Sequence, residues 1–326
     1  MPTFDSSFIT NHTCLRIKDP KISIPFYEKN FGLKHISQLH LPDRTLYILG
    51  IENESNKNLN WCAREGILEL CHHSGSENDS SFKVNNGNGE KDRGFGHICF
   101  SVDNIEEAEK KLLGNEVSFK KKLSDGRQKN IAFALDPDGY WIELIEHGVN
   151  KVENKTDLSS YKLNHTMIRV KDPKASLKFY REVLGFKLFH TKVFEDAKFT
   201  LYFLGYESPD FKEDSLDVST QATKQSVLEL THNWGTENDD SFPGYHDGNS
   251  TENGAIAGYG HFGIACDNAE KLCREIESEF PEVEWALKYG EGPAKIIAFV
   301  KDPDGYQVEI FNTDSFKDWT DGKPPL

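Results

Sequence analysis

The sequence lacks the long apolar runs of a membrane protein and the excess of cations of a nucleic-acid-binding protein. No apolar stretch approaches the roughly 20 residues that a membrane-spanning helix needs. The 326 residues carry a net charge of −15, which disfavours contacts with phosphates. The chain does not start with a cationic region followed by an apolar run, so a secretory signal is not expected. We therefore expect no membrane and no nucleic-acid partner.

Cysteine is also scarce, and it is not spaced as in a disulfide framework. None of the six cysteines forms a CxxC pair, and most have no counterpart in the other half of the chain. This pattern indicates reduced thiols and a cytoplasmic protein. The length and the 37% content of hydrophobic residues suit two globular domains, each with its own core.

Four segments occur twice, in the same order. The pairs are 11–16 with 164–169, 67–70 with 227–230, 94–100 with 258–264, and 136–143 with 302–309. Each copy thereby offers a histidine, a glutamate, a second histidine and a second glutamate. The sequence predicts two repeats, 1–148 and 162–326, joined by a polar linker at 149–161.

Each quarter of the chain is predicted to form a strand, a helix and two or three further strands. Asp19 and Asp172 each precede a proline, which indicates a helix N-cap followed by proline at the first helical position. Asp103 and Asp267 are expected to cap the other two helices. Pro25 predicts a first helix that starts late or bends. The two Asp-Pro-Asp-Gly segments predict hairpin turns.

The candidate ligands leave the hydrophobic face of their strands. Glu69 lies between Leu68 and Leu70, so its carboxylate points away from both leucines because side chains alternate along a strand. His97 leaves the apolar face of its own strand in the same way. A buried carboxylate without a partner is costly, so this face is expected to border a cavity.

Two imidazoles with two carboxylates suit a borderline divalent cation and leave positions for water or substrate oxygens. Taken singly, the same residues also fit a structural role. A strand histidine can be a satisfied core residue, and a strand glutamate can pair with Arg16 or Arg169. The repetition of the whole set favours the metal site.

Each half resembles glyoxalase I (lactoylglutathione lyase), of the vicinal oxygen chelate superfamily. The resemblance rests on segments 165–173, 228–237, 93–98 and 136–143, and the tandem copy is similar to the fused fungal form. It implies an α+β fold of four βαβββ modules in two mixed sheets. It also implies isomerisation of the methylglyoxal–glutathione hemithioacetal to S-D-lactoylglutathione.

The resemblance also assigns ligands, drawn from both repeats for each ion. Site one is expected to consist of His12, Glu69, His261 and Glu309. Site two is expected to consist of His165, Glu229, His97 and Glu143. One chain supplies both complete sets, which implies a monomer with two ions. Zn²⁺ is the usual ion in such enzymes, and Ni²⁺, Co²⁺ or Mg²⁺ are also compatible with these ligands.

By the same resemblance, Glu143 and Glu309 are the main catalytic bases, with Glu69 and Glu229 facing them across the substrate. Removal of a proton from the carbon next to a carbonyl gives an enediolate, whose oxygens a divalent cation can stabilise. A carboxylate must take that proton from one carbon and return it to the next.

The glutathione contacts implied by the resemblance are unequal between the sites. Site two has all four of them, Arg169, Asn233, Arg93 and Lys121. Site one keeps Arg16, but His73, Ala257 and Leu287 stand at the other three positions. We expect site two to bind glutathionyl substrates more tightly, unless neighbours such as Lys288 restore the contacts.

Two other functions and one structural question stay open at this point. An iron-dependent extradiol dioxygenase uses two histidines and one glutamate, and a non-catalytic small-molecule-binding protein can share the fold. Trp61, Phe95 and Tyr259 either line the substrate pocket or pack in the core.

Overall fold

The chain folds into four modules, each with one strand, one helix and three further strands. The computed structural model describes residues 2–292 and 294–316. The first module consists of β1 (Ile9–Ile17), α1 (Pro20–Phe31), β2 (Lys34–His40), β3 (Arg44–Gly50) and β4 (Ile67–His73). The second consists of β5 (Phe95–Val102), α2 (Ile105–Gly114), β6 (Phe119–Lys121), β7 (Ala132–Leu135) and β8 (Trp141–Glu146).

The second half repeats this plan with a short additional helix. The third module consists of β9 (Lys162–Val170), α3 (Pro173–Lys178), β10 (Lys187–Phe194), β11 (Phe199–Gly205), α4 (Val218–Ala222) and β12 (Val227–Asn233). The fourth consists of β13 (Tyr259–Cys266), α5 (Ala269–Glu279), β14 (Trp285–Leu287), β15 (Ile297–Lys301) and β16 (Gln307–Asn312). Helix α3 continues as a π-helical turn, Phe179–Val183. Within the described ranges, no helix combines the length and the apolar character needed to cross a bilayer.

The strands form two mixed eight-stranded sheets. Their orders are β14-β15-β16-β13-β1-β4-β3-β2 and β10-β11-β12-β9-β5-β8-β7-β6. At the centre, β1 pairs antiparallel with β13, and β5 pairs antiparallel with β9. The next pairs outward, such as β1 with β4 and β5 with β8, are parallel. The expected α+β fold of four βαβββ modules is confirmed.

Each sheet combines modules from both halves of the sequence. The first sheet joins modules one and four, and the second joins modules two and three. The main hydrophobic core is likewise shared, since Leu15, Phe100, Ile168 and Ile264 belong to one cluster. The division into 1–148, a linker and 162–326 therefore stays a prediction about the repeats of the sequence.

The helix signals of the sequence were read correctly in two modules and wrongly in the other two. Asp19 and Asp172 cap α1 and α3 through hydrogen bonds from backbone N–H groups. The prediction for Asp103 and Asp267 is wrong, because the following residues, Asn104 and Asn268, cap α2 and α5 instead. Both aspartates accept hydrogen bonds from other segments of the chain, as the Thr156 hydroxyl bonds Asp103.

Two local features of the backbone settle the remaining expectations. Helix α1 begins at Pro20 and contains Pro25, so the expected late start is wrong. The Asp-Pro-Asp-Gly turns are confirmed. In the turn that joins β7 to β8, Gly139 has a φ of 85° and its N–H donates to the Asp136 carbonyl. Gly305 has a φ of 89° in the equivalent turn. Glycine tolerates this left-handed conformation because it has no Cβ.

Candidate metal centres

A β-bulge lies in each central strand pair, beside the first candidate ligand. The register of β1 against β13 shifts between Thr10 and His12, so Asn11 is an extra residue without a partner. Strand β9 has the same irregularity at Asn164, immediately before His165. A bulge re-aims side chains, so each asparagine can contact the histidine that follows it.

The two asparagines fix the orientation of the two imidazoles. Oδ1 of Asn11 lies 2.7 Å from Nδ1 of His12, and Oδ1 of Asn164 lies 2.8 Å from Nδ1 of His165. Both amide nitrogens donate to backbone carbonyls before β4 and β12, so the amide oxygens face the rings. Nδ1 must then carry the proton, which leaves the Nε2 lone pair for a cation. The sequence reasoning missed this role, although asparagine precedes the first histidine in both copies.

Site two brings together four buried side chains from both halves of the chain. The Nε2 atoms of His97 and His165 lie 3.2 Å apart. Oε2 of Glu143 lies 3.4 Å from the first nitrogen and 3.1 Å from the second. Oε2 of Glu229 lies 3.1 Å from His165. The four ligand atoms all fall within 4.8 Å of one another.

Site one brings together the equivalent residues with a looser fourth contact. The Nε2 atoms of His12 and His261 lie 2.9 Å apart, and Oε2 of Glu309 lies 3.2 and 3.3 Å from them. Oε1 of Glu69 lies 3.9 Å from His261. The ligand atoms of His12, Glu69 and His261 fall within 4.8 Å of one another, and Glu309 joins this group through both histidines.

The donor atoms fit a divalent cation. Atoms that share an ion at about 2.1 Å lie about 3.0–3.4 Å from one another, close to most of the separations in both sites. Oε1 of Glu69 is buried and has no hydrogen-bond partner, an arrangement that is costly unless a cation satisfies it. In site two, the Thr231 hydroxyl donates to Oε1 of Glu229, whereas Cys71 stands at the equivalent position in site one.

The second glutamate of each site is held as a carboxylate. Burial by itself raises the pKa of Glu309, but contact with the imidazoles of His12 and His261 outweighs it and lowers the pKa to about 2. Contact with the imidazoles of His165 and His97 likewise outweighs burial and lowers the pKa of Glu143 well below its ordinary range. Both carboxylates are therefore negative at neutral pH, as a cation site and a general base require.

A cavity of about 440 Å³ opens onto site two. Its walls carry all four candidate ligands together with Arg93, Arg169 and Asn233. Apolar side chains, among them Phe203, cover much of the remaining wall. In contrast, Phe95 and Tyr259 stack on each other in the core, with ring centroids 5.1 Å apart.

Three of the four expected glutathione contacts of site two line this cavity. Arg169 is buried and donates to three backbone carbonyls and to Asn88, which ties it to the loop before β5. Burial, followed by the charge of Arg93, lowers the pKa of Arg169 to about 10. Arg169 donates to the carbonyl of Gly94, the residue next to Arg93. Lys121 does not line the cavity, since Nζ donates to the carbonyls of Gln128 and Ile131, both at 2.7 Å.

Site one has the same arginine without the second one. Arg16 donates to the carbonyls of Gly248, Gly258 and Tyr259 and to the Asn249 side chain, as Arg169 does in the other half. Ala257 lies two residues before β13, at the position that Arg93 takes before β5. His73 takes the position of Asn233. Site one therefore has less positive charge at this end than site two.

Comparisons with known proteins agree with this architecture. The family model of the Glyoxalase/Bleomycin resistance protein/Dioxygenase superfamily matches residues 9–144 and 162–310. The chain is 49% identical over 314 residues to Glyoxalase I of Saccharomyces cerevisiae, a match that covers 94% of this chain and 93% of that protein. It is 44% identical to the Lactoylglutathione lyase of Schizosaccharomyces pombe, with 94% and 96% covered.

A solved structure shares the arrangement of the modules. The crystal structure of glyoxalase I from Zea mays superposes with a TM-score of 0.67 at 25% identity, and it covers 95% of this chain and 94% of that one. The chain thus belongs to the Glyoxalase/Bleomycin resistance protein/Dioxygenase superfamily and, within it, to the glyoxalase I (lactoylglutathione lyase) enzymes.

Proposed function

We propose that the protein isomerises the hemithioacetal of methylglyoxal and glutathione to S-D-lactoylglutathione at two non-equivalent sites. The observation that carries the proposal is the convergence of His97, Glu143, His165 and Glu229 on a cavity with guanidinium groups at one end. Glutathione carries two carboxylates, which suit Arg93 and its neighbour Arg169. The extradiol dioxygenase alternative needs only three such ligands and gains no support from these arginines.

Each site would hold one divalent cation through two imidazoles and two carboxylates. The ligands are His12, Glu69, His261 and Glu309 in site one, and His165, Glu229, His97 and Glu143 in site two. When bound, the cation supplies positive charge next to the substrate oxygens, where negative charge develops during proton transfer. Zn²⁺ is our first choice, with Ni²⁺ or Co²⁺ as alternatives, at two ions per chain.

The carboxylates of the chain carry the proton. Glu143 is ionised and lies on the cavity wall, so it can remove a proton from the carbon next to the carbonyl and return it to the adjacent carbon. Glu229 faces it from another strand of the same sheet, with its second oxygen held by Thr231. Glu309 and Glu69 take these roles in site one.

Substrate affinity should differ between the sites. Site two offers Arg169, Asn233 and Arg93, with Lys121 at the end of β6, outside the cavity wall. Site one offers Arg16, and Ala257 replaces the second arginine. Loss of one arginine that clamps a carboxylate weakens binding by roughly 1.5–3 kcal/mol.

The remaining features concern the protein as a whole. We propose a monomer, because one chain supplies every ligand of both sites. We also propose a cytoplasmic location, supported by six cysteines that are all free and buried. The substrate is the only partner that the proposed chemistry requires.

The test is formation of S-D-lactoylglutathione from methylglyoxal and glutathione, before and after treatment with EDTA. Glu143→Gln and Glu309→Gln should each retain part of the activity, and the double variant should have almost none. Glu153→Gln, which alters an exposed glutamate outside both the ligand set and the cavity wall, is the control. Full loss of activity in one single variant would argue against two independent sites, and activity that survives complete metal removal would argue against the proposed chemistry.

A further inference from the structure

The site-two cavity has two chemically different ends. Strands β9 and β12 are parallel, and Arg169 and Asn233 follow the ligands His165 and Glu229 along them. Gln221 precedes β12 and therefore lies at the opposite end, where its carbonyl accepts from Asn164. Because the arginines suit the glutathione carboxylates, the reacting carbons would lie beside the ligands. The substituent contributed by the aldehyde would then point toward the Gln221 end.

This far end is open in site two. Gln221 and Ile145 line the cavity at this end. Phe203 and Lys192 also line the cavity, but strand register places them level with Glu229 or beyond it, away from Gln221. Gln221 is polar, so the far end is not sealed as a dry core. A substituent much larger than a methyl group can enter this space.

The equivalent residues of site one are different in kind. Strand register equates Leu39 with Lys192 and Ile48 with Phe203. The carbonyls that accept from Asn11 and Asn164 equate Trp61 with Gln221. Phe311 lies two residues after Glu309, where Ile145 follows Glu143. Thus site one has larger or more apolar side chains at three of these four positions.

These residues of site one pack against one another in a hydrophobic cluster. Leu39, Ile48, Trp61, Phe311 and Phe316 are buried and belong to it. Their exposed fractions range from 0% for Ile48 and Phe311 to 7% for Trp61 and Phe316.

The aromatic members of the cluster lie directly beside the ligand His12. The ring centroid of Trp61 is 6.3 Å from that of His12, and the ring centroid of Phe311 is 5.7 Å from it. Phe316 stacks on Trp61 at 5.3 Å with an interplanar angle of 16°. At the position equivalent to Phe316, seven residues after the second glutamate, site two has the exposed Asn150.

We propose that Trp61, Phe311 and Phe316 make site one selective for small aldehyde substituents, while site two accepts bulky ones. The proposal rests on the glyoxalase function proposed above. Space equivalent to the open end of the site-two cavity is filled by the aromatic cluster, so a phenyl group could enter site one only if the stacked rings separated. The two sites would then divide the 2-oxoaldehydes by size.

Binding stoichiometry tests the proposal without reliance on turnover. Calorimetry on the metal-loaded protein should give two S-methylglutathione molecules per chain, and one S-benzylglutathione. Phe316→Ala and Trp61→Ala should each allow a second S-benzylglutathione to bind. Phe280→Ala, an aromatic truncation in the same module that packs on the main core, is the matched control and should leave the count at one.

Turnover provides a second and independent readout. In the Glu143→Gln background, where only site one can turn over, the kcat/KM for phenylglyoxal relative to methylglyoxal should be roughly tenfold or more below that of the Glu309→Gln background. Phe316→Ala in the Glu143→Gln background should raise this ratio. The reverse change, Gln221→Trp in the Glu309→Gln background, should lower it.

The outcomes separate this proposal from the function on which it rests. If neither glutathione conjugate binds, the proposed function is wrong and the size selectivity falls with it. If two molecules of S-benzylglutathione bind the unaltered chain, the function stands and the selectivity is wrong. Unchanged counts and ratios in both Phe316→Ala and Trp61→Ala would also overturn the selectivity.

Discussion

The side-chain oxygen of Asn164 accepts a hydrogen bond from Nδ1 of His165 at 2.8 Å, although the two residues are adjacent on one strand. Adjacent strand residues ordinarily point to opposite faces. The β-bulge in β9 brings this pair together, and an equivalent bulge in β1 brings Asn11 to His12. The asparagine thereby selects the imidazole tautomer that can bind a cation through Nε2.

Asn164→Ala should lower the metal affinity of site two roughly 10- to 100-fold, because the imidazole loses its fixed orientation and tautomer. Competition with a chromophoric chelator measures this affinity. Asn164→Asp keeps an acceptor for Nδ1 and should retain more of the affinity than Asn164→Ala. Asn11→Ala is the matched variant and should weaken site one alone. Equal loss from both sites in either variant would contradict the local role.

Removal of the metal should lower the thermal stability of the protein. A cation binds the folded sites and not the dispersed ligands of the unfolded chain, so its removal lowers the free energy of unfolding. The buried, unpartnered Oε1 of Glu69 should make this loss larger. Differential scanning calorimetry before and after EDTA, with elemental analysis, should show a lower Tm and the loss of two ions per chain. An unchanged Tm after complete removal would argue against structural coupling of the ions.

Arg93→Ala should raise the KM of site two for the hemithioacetal roughly 10- to 100-fold, because one carboxylate of glutathione loses a charge-assisted partner. The kcat should change much less, since Arg93 is neither a metal ligand nor a proposed base. The measurement belongs in the Glu309→Gln background, where only site two turns over. Arg127→Ala, which removes an exposed arginine from the nearby β6–β7 loop, is the control. A comparable rise in KM in both variants would indicate a general charge effect.

Asp302 should make the fold less stable as the pH rises through the neutral range. Burial, followed by the charge of Asp304, raises its pKa to about 8 from an ordinary value of 3.8, although Tyr180 donates to it. Between these two values the folded state holds a proton that the unfolded state has lost. The free energy of unfolding therefore falls by up to about 1.4 kcal/mol per pH unit in this window, and the contribution is complete only below about pH 4.

Chemical denaturation from pH 5 to 9 measures this dependence against Asp302→Asn, whose side chain does not titrate. The difference in unfolding free energy between the two proteins should shift in favour of the variant as the pH rises. Asp136→Asn probes the equivalent turn, where the pKa of Asp136 is about 7, so its window should end about one pH unit lower. A difference that is flat across the range would show that Asp302 is already ionised in the fold.

Local sequence signals predicted much of this molecule. Alternation placed Glu69 away from Leu68 and Leu70, and Asp19 marked the start of α1. The failure at Asp103 has a clear cause. Asp103 and Asn104 could each cap α2 on local grounds. The carboxylate of Asp103 instead accepts hydrogen bonds from Thr156 and the following residue, which lie in the linker far along the chain.

The sequence by itself determined which donors exist, in what order they recur and which face of each strand they take. These properties follow from residue identity and from the two-residue period of a strand. The tertiary structure decided which donors meet, since His12 and His261 are 249 positions apart and come together only through the pairing of β1 with β13. It also decided that aromatic rings close one site and leave the other open. Such contacts depend on how separate modules pack, and no local period encodes that packing.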